Sequence, residues 1–215
     1  MKNIIKPQLT RLFPSFLLIL VTILILGKYD FPLVNFLTII VGLLCLYLLY
    51  GKDFLFHWLK PMKKPALKII FSAIILSLLI KIVLGLFLIL LHLSPMESHP
   101  IIQDFQYESL YTGLCNLFLI SFEIIGEELL VAVVFFPILY YLQRFKYSWL
   151  VSNLFSALIF GMMHLIVYDF NFLTCFVVGI SRMPFTMAWR KSDSIRGGMY
   201  VHWLVDMLGM VPTLF

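Results

Sequence analysis

The sequence predicts an all-α, polytopic transmembrane helix bundle of about seven spans. Three observations predict it. Hydrophobic residues make up 62% of the 215 residues and charged residues only 13%, with a mean hydropathy of +1.01. A water-facing domain is roughly half apolar and a quarter charged, so the solvent for this surface must be lipid. The apolar residues fall in runs long enough to cross a bilayer, and the basic residues gather in alternate connecting segments. Lipid offers a backbone no hydrogen bonds, so each run must be a helix.

Taken in order, the runs place spans at about 12–27, 33–50, 66–92, 109–142, 147–166, 171–189 and 197–214. Lys2, Lys6 and Arg11 precede the first. The next residues after that run, Gly27-Lys28-Tyr29-Asp30, contain no small-x-small cleavage site, so it reads as an uncleaved span rather than a signal peptide. Asp53–Trp58 reads as a short interfacial helix, because Phe54, Phe56 and Trp58 stand among charges. No internal repeat or second domain is visible, and residues 1–215 read as a single membrane domain whose motif-bearing half is about 109–215.

Charge sets the orientation. Lys52, Lys60, Lys63, Lys64 and Lys68 follow the second span, Arg144 and Lys146 the fourth, and Arg190, Lys191 and Arg196 the sixth. The alternate segments hold only Lys28, and the segment 94–108 carries Glu97, Asp104 and Glu108 without a cation. This asymmetry puts the N-terminus in the cytoplasm. The net charge of +5 is therefore a topology signal and not a nucleic-acid footprint. Cys45, Cys115 and Cys175 lie in apolar runs at spacings that fit neither disulfides nor zinc, and read as packed thiols. Trp58, Trp149 and Trp189 read as bilayer anchors. The Ile, Leu, Phe and Lys bias suggests an AT-rich bacterial genome and a bacterial cell membrane.

Among the ionisable residues inside spans are Lys81, Glu123, Glu127, Glu128, His164, Arg182, His202 and Asp206. Such groups are costly in a bilayer and mark function by default. Residues four apart share a helix face, so Glu123 stacks with Glu127, Phe160 with His164, and His202 with Asp206. Glu128 points about 100° away from Glu127. Converging faces would enclose a wet pocket in which a carboxylate activates water and imidazoles stabilise an oxyanion. The same groups would also suit a metal. Ser121 and Ser156 lack a nucleophile elbow. Without repeats or paired broken helices, a transporter is the weakest reading.

Glu127-Glu128-Leu129-Leu130, Phe160-Gly161-Met162-Met163-His164 and His202-Trp203-Leu204-Val205-Asp206 together resemble the CPBP family (CAAX-protease and bacteriocin-processing, also called Abi) of intramembrane endopeptidases. The resemblance runs from about Phe122 to the C-terminus. It implies Glu127 as the water-activating base, Glu128 as its support, His164 and His202 as groups that polarise the carbonyl or position water, and Asp206 as an orienting residue. Phe160, Glu123, Arg182 and Lys81 would support them. The implied substrate is a peptide or membrane protein: a bacteriocin, a signalling peptide or a CAAX-type chain. No cofactor is expected. Zinc is the alternative, and Glu127, His164, His202 and Asp206 would then hold it.

One position departs from the family pattern. Where the family motif has arginine after the double glutamate, this chain has Ala132. Either Lys81 or Arg182 supplies the missing cation from another helix, or the chain is a weakened member acting as a binding or immunity protein. The segmentation also contains a conflict of depth. Straight spans put His202 about 9 Å from Arg196 but His164 about 27 Å from Lys146. These would meet only if spans four and five extend beyond the membrane, or span six is short or broken.

Overall fold

The computed structural model describes residues 5–26, 28, 34–93 and 109–214. Lys2, Asp30 and the acidic segment with Glu97, Asp104 and Glu108 lie outside the described residues. Among the described residues all regular structure is helical: α1 (Leu12–Leu26), α2 (Val34–Tyr50), α3 (Lys52–Trp58), α4 (Ala66–Leu90), α5 (Leu110–Tyr141), α6 (Ser148–Met163), α7 (Phe172–Ser181), α8 (Met183–Ser192) and α9 (Arg196–Met210), with 3₁₀ turns at Leu9–Arg11 and Val211–Leu214. Leu9–Leu26, Ala66–Leu90 and the α7–α8 stretch Phe172–Ser192 are each long and apolar enough to cross a membrane. The chain is an integral membrane protein with a helical-bundle fold.

The centre of the bundle is α5. Ser109 caps its start by accepting from the Thr112 amide at 3.2 Å. Every residue from Glu128 to Pro137 is buried, because α2, α6 and α9 all pack against this helix. A helix apolar on all sides is what such a central position requires. At 32 residues it is about 48 Å long and exceeds the ~30 Å hydrocarbon core. The main core joins α5 to α2 and to the rings of Phe54, Trp58 and Trp189. Helix α3 is therefore only half interfacial: Phe56 faces outward, while Phe54 and Trp58 are buried against Phe136.

Helices α6 and α7 cross at small residues. A Cβ on Gly161 would strike the Cys175 carbonyl oxygen, and one on Gly179 would come within 2.5 Å of the Ala157 carbonyl oxygen. Small side chains let backbones approach closely where no hydrophobic force between helices is available.

The expected sixth span is two helices broken at Arg182. Pro184 follows in the first turn of α8 and has no amide to continue the ladder. Side chains of neighbouring helices bond carbonyls on either side of the break: Ser77 Oγ donates to the Ser181 oxygen at 2.7 Å, and Asn153 Nδ2 to the Met183 oxygen at 3.0 Å. Helix α8 ends on Asp193 in the left-handed conformation at φ 54°.

The turn that follows lies beneath a strap formed by residues 59–65. The Ile195 amide donates to the Trp58 oxygen at 2.8 Å and the Lys63 amide to the Ser192 oxygen at 3.0 Å, while Lys60 and Lys63 reach Asp193 at 2.8 and 2.6 Å. The α8–α9 turn is thus covered by a layer of chain. With the sixth span broken, as one of the expected ways out of the depth conflict required, His164 and His202 both reach Glu127.

Two sequence expectations are corrected. Trp58 and Trp189 are buried in the core rather than anchored at a bilayer surface, because rings from α3 and α5 stack on them. Cys115 is exposed on the outer face of α5, while Cys45 and Cys175 are packed.

Candidate active site

Helices α4, α5, α6 and α9 and the α7–α8 break bring the predicted residues together around a cavity of about 570 Å³. Glu123 and Glu127 line it from α5, as one face of that helix requires. Phe160 lines it from α6, with His164 at the helix's C-terminal cap. Arg182 comes from the α7–α8 break, and His202 and Asp206 from α9. Lys81 lines the wall from α4.

The Glu127 carboxylate lies between the two imidazoles. His164 Nε2 is 3.6 Å from Oε1, and His202 Nε2 is 3.6 Å from Oε2. His164 Nδ1 lies 2.9 Å from the Phe160 carbonyl oxygen, to which it must donate. In the neutral ring this leaves the Nε2 lone pair facing the cavity. The Phe160 ring lies 4.5 Å from the His164 ring, centroid to centroid, and fixes its tilt.

His202 is held from both sides. Its Nδ1 is 3.1 Å from Glu128 Oε1, and its Nε2 is 3.3 Å from Asp206 Oδ2. Only an imidazolium donates from both nitrogens. The i, i+4 spacing of His202 and Asp206 produces the second contact directly.

Glu128 points the other way from Glu127 and is fully buried. Arg182 Nη2 donates to its Oε1 at 2.7 Å, and Trp189 Nε1 to its Oε2 at 2.9 Å. Arg182 is itself only 1% exposed, donates to Thr186 Oγ1 at 3.3 Å, and lies over the Phe160 ring at 4.8 Å. Of the two cations considered for Ala132's missing partner, Arg182 takes the place. Lys81 makes no ion pair among the described residues. Ala132 is 0% exposed in the apolar core, and no space for a guanidinium remains there.

Two further residues shape this site and escaped the sequence reading. Trp189 was expected at a bilayer surface but bonds Glu128. A signal existed: Arg182, Thr186 and Trp189 follow one helical face. Gly198 of α9 leaves the room for that bond, since a Cβ there would meet Trp189 Nε1 and Glu128 Oε2. The serines serve local structure. Ser121 donates to the Leu117 carbonyl and accepts from Trp203, and Ser156 donates to the Asn153 carbonyl. Among the described residues no three His, Cys, Asp or Glu side chains are grouped so as to hold a metal ion.

Fold and site together define an integral membrane protein whose largely apolar cavity carries carboxylates and imidazoles from several helices. Residues 108–208, just under half of the chain, match the family model described as type II CAAX prenyl endopeptidase Rce1-like. This half of the chain is similar to that family of proteases, in agreement with the resemblance of its three motifs to the CPBP family. Comparison with curated proteins and with solved structures gives no match.

Proposed function

We propose that the chain is an intramembrane endopeptidase in which Glu127 activates a water molecule for attack on a peptide carbonyl. The observation that carries this reading is the position of the Glu127 carboxylate, 3.6 Å from each of two imidazole Nε2 atoms in the lining of one cavity. A water bridging Glu127 and His164 loses a proton to Glu127 as its oxygen bonds to the carbonyl carbon. The positive charge of His202, whose two N–H groups are held by Glu128 and Asp206, stabilises the oxyanion that develops. Glu127 then passes the proton to the amide nitrogen as the C–N bond breaks. Glu128 and Asp206 act through His202, which they hold in place. Zinc would supply acidification of the water; with no metal-holding group among the described residues, no step is assigned to it.

In this reading the whole chain is one membrane domain that crosses about seven times, with α7 and α8 forming a single broken crossing and the N-terminus in the cytoplasm of a bacterial cell. The substrate is a peptide or membrane protein, whether a bacteriocin, a signalling peptide or a CAAX-type chain. The alternative role as a weakened binding or immunity protein drew its support from Ala132. That support falls away because Glu128 has its guanidinium from Arg182.

The test is cleavage of a peptide library by detergent-purified protein, with Glu127→Gln beside it and with a strong chelator as a third arm. Cleavage lost in Glu127→Gln but kept with the chelator supports this mechanism. Loss with the chelator would transfer water activation to a metal. Cleavage retained by Glu127→Gln would refute the assignment.

A further inference from the structure

A second cavity, of about 780 Å³, lies where the α5–α6 turn meets α8, at the end of the bundle that carries the basic residues. Arg144, Lys146 and Arg190 all line it, and neither aspartate nor glutamate does. Among the described residues none of the three cations is paired with a carboxylate. Two of them rest instead on aromatic faces: Arg190 lies 5.2 Å from the Trp149 ring centre and Lys146 5.3 Å from that of Tyr147. Orientation of a membrane protein needs cations on one side of the bilayer, but it does not need three of them turned into one concavity.

We propose that this cavity binds the phosphate of an anionic phospholipid headgroup. Converging guanidinium and ammonium groups without counter-ions match a phosphate in charge and hydrogen-bond donors. Free phosphate shares that chemistry, but the surroundings favour a ligand with acyl chains. Leu150 lines the cavity, and Leu154, one turn further along α6, is exposed beside the exposed Phe155. An apolar stripe therefore leads from the cationic cavity down the outer surface of α6. A diacyl lipid fills both parts at once, and an inorganic ion fills only the first.

The experiment uses the full chain in neutral detergent. Phosphatidylglycerol, phosphatidylcholine with the same acyl chains, or inorganic phosphate is added, and bound lipid is counted by native mass spectrometry while the unfolding temperature is followed. The parent is compared with a variant carrying R144Q, K146Q and R190Q, and with a control carrying K52Q, K64Q and K68Q at the same end of the bundle. Unfolding temperatures measured without lipid establish that each variant is folded, and the single R190Q serves if the triple variant is not.

The expected result is that phosphatidylglycerol binds and raises the unfolding temperature, that phosphatidylcholine does not, and that the cavity variant needs at least about tenfold more phosphatidylglycerol while the control does not. Equal effects of the two lipids, or equal losses in cavity variant and control, would overturn the proposal. Stabilisation by inorganic phosphate equal to that by phosphatidylglycerol would reassign the cavity to soluble phosphate.

Discussion

Replacing Arg182 with methionine isolates the electrostatic support of the site. Arg182 and Glu128 are 1% and 0% exposed, and their Nη2 and Oε1 atoms lie 2.7 Å apart. Methionine keeps much of the apolar contact with Phe160, Phe185 and Trp189, so what is removed is mainly the charge. Breaking a buried pair from one side costs about 3–5 kcal/mol, because the remaining charge stays buried, here with only His202 and Trp189 left as its partners. That corresponds to a roughly 10²–10⁴-fold fall in the folding equilibrium. Equilibrium unfolding in mixed micelles reads the loss directly. The pair is then separated from mere packing by Glu128→Gln and by the double variant. If the two charges hold each other, the double variant loses clearly less than the sum of the single losses, since neither charge of the pair is left behind without the other. Losses that simply add, or an R182M protein within ~1 kcal/mol of the parent, would refute the assignment of Arg182 as the cation of Glu128.

Four further outcomes follow from the same geometry. Ala132→Arg is expected to destabilise by at least ~3 kcal/mol without raising cleavage, because it forces a long charged side chain into a filled apolar core; denaturant titration and the peptide assay check both parts. Lys81→Met is expected to leave stability within ~1 kcal/mol, since no carboxylate loses a partner, and the same titration tests it. Gly198→Ala is expected to cost about 1–3 kcal/mol, because the new methyl collides with Trp189 and Glu128, and the indole fluorescence should shift as that bond opens. Partial burial disfavours the Asp193 charge, but the hydrogen bonds and charges of Lys60 and Lys63 outweigh it and hold the carboxyl at about 2, below its ordinary 3.8. Its pKa is lower when folded, so its contribution is complete above about pH 4 and is lost as the pH falls through about 2; Asp193→Asn should flatten the acid limb of a stability–pH curve in that window.

The sequence made the chemistry of the site legible because helical spacing alone places Glu123 with Glu127, Phe160 with His164, and His202 with Asp206. The turn of Glu128 away from its neighbour was legible for the same reason. How the helices slide past one another was not. That register depends on the close approach at Gly161 and Gly179 and on the break at Arg182, and hydropathy records neither. The choice between Lys81 and Arg182 also required three dimensions, since both read as lone cations deep in apolar runs. Trp189 was misread because an aromatic near a span end satisfies the anchor pattern equally well whether it faces lipid or core. The cover over the α8–α9 turn rests on backbone bonds at Trp58 and Lys63 and on Lys60 and Lys63 reaching Asp193, a long-range pairing of charges that read only as topology signals along the chain.

The helix break that delivers Arg182 also makes the support of the site a matter between helices. Arg182 stands where α7 gives way to α8, and its Nη2 holds Glu128 Oε1 of α5 at 2.7 Å. Glu128 in turn lies 3.1 Å from His202 Nδ1 of α9. A displacement of α7 or α8 against α5 therefore acts, through Glu128, on the imidazole beside Glu127.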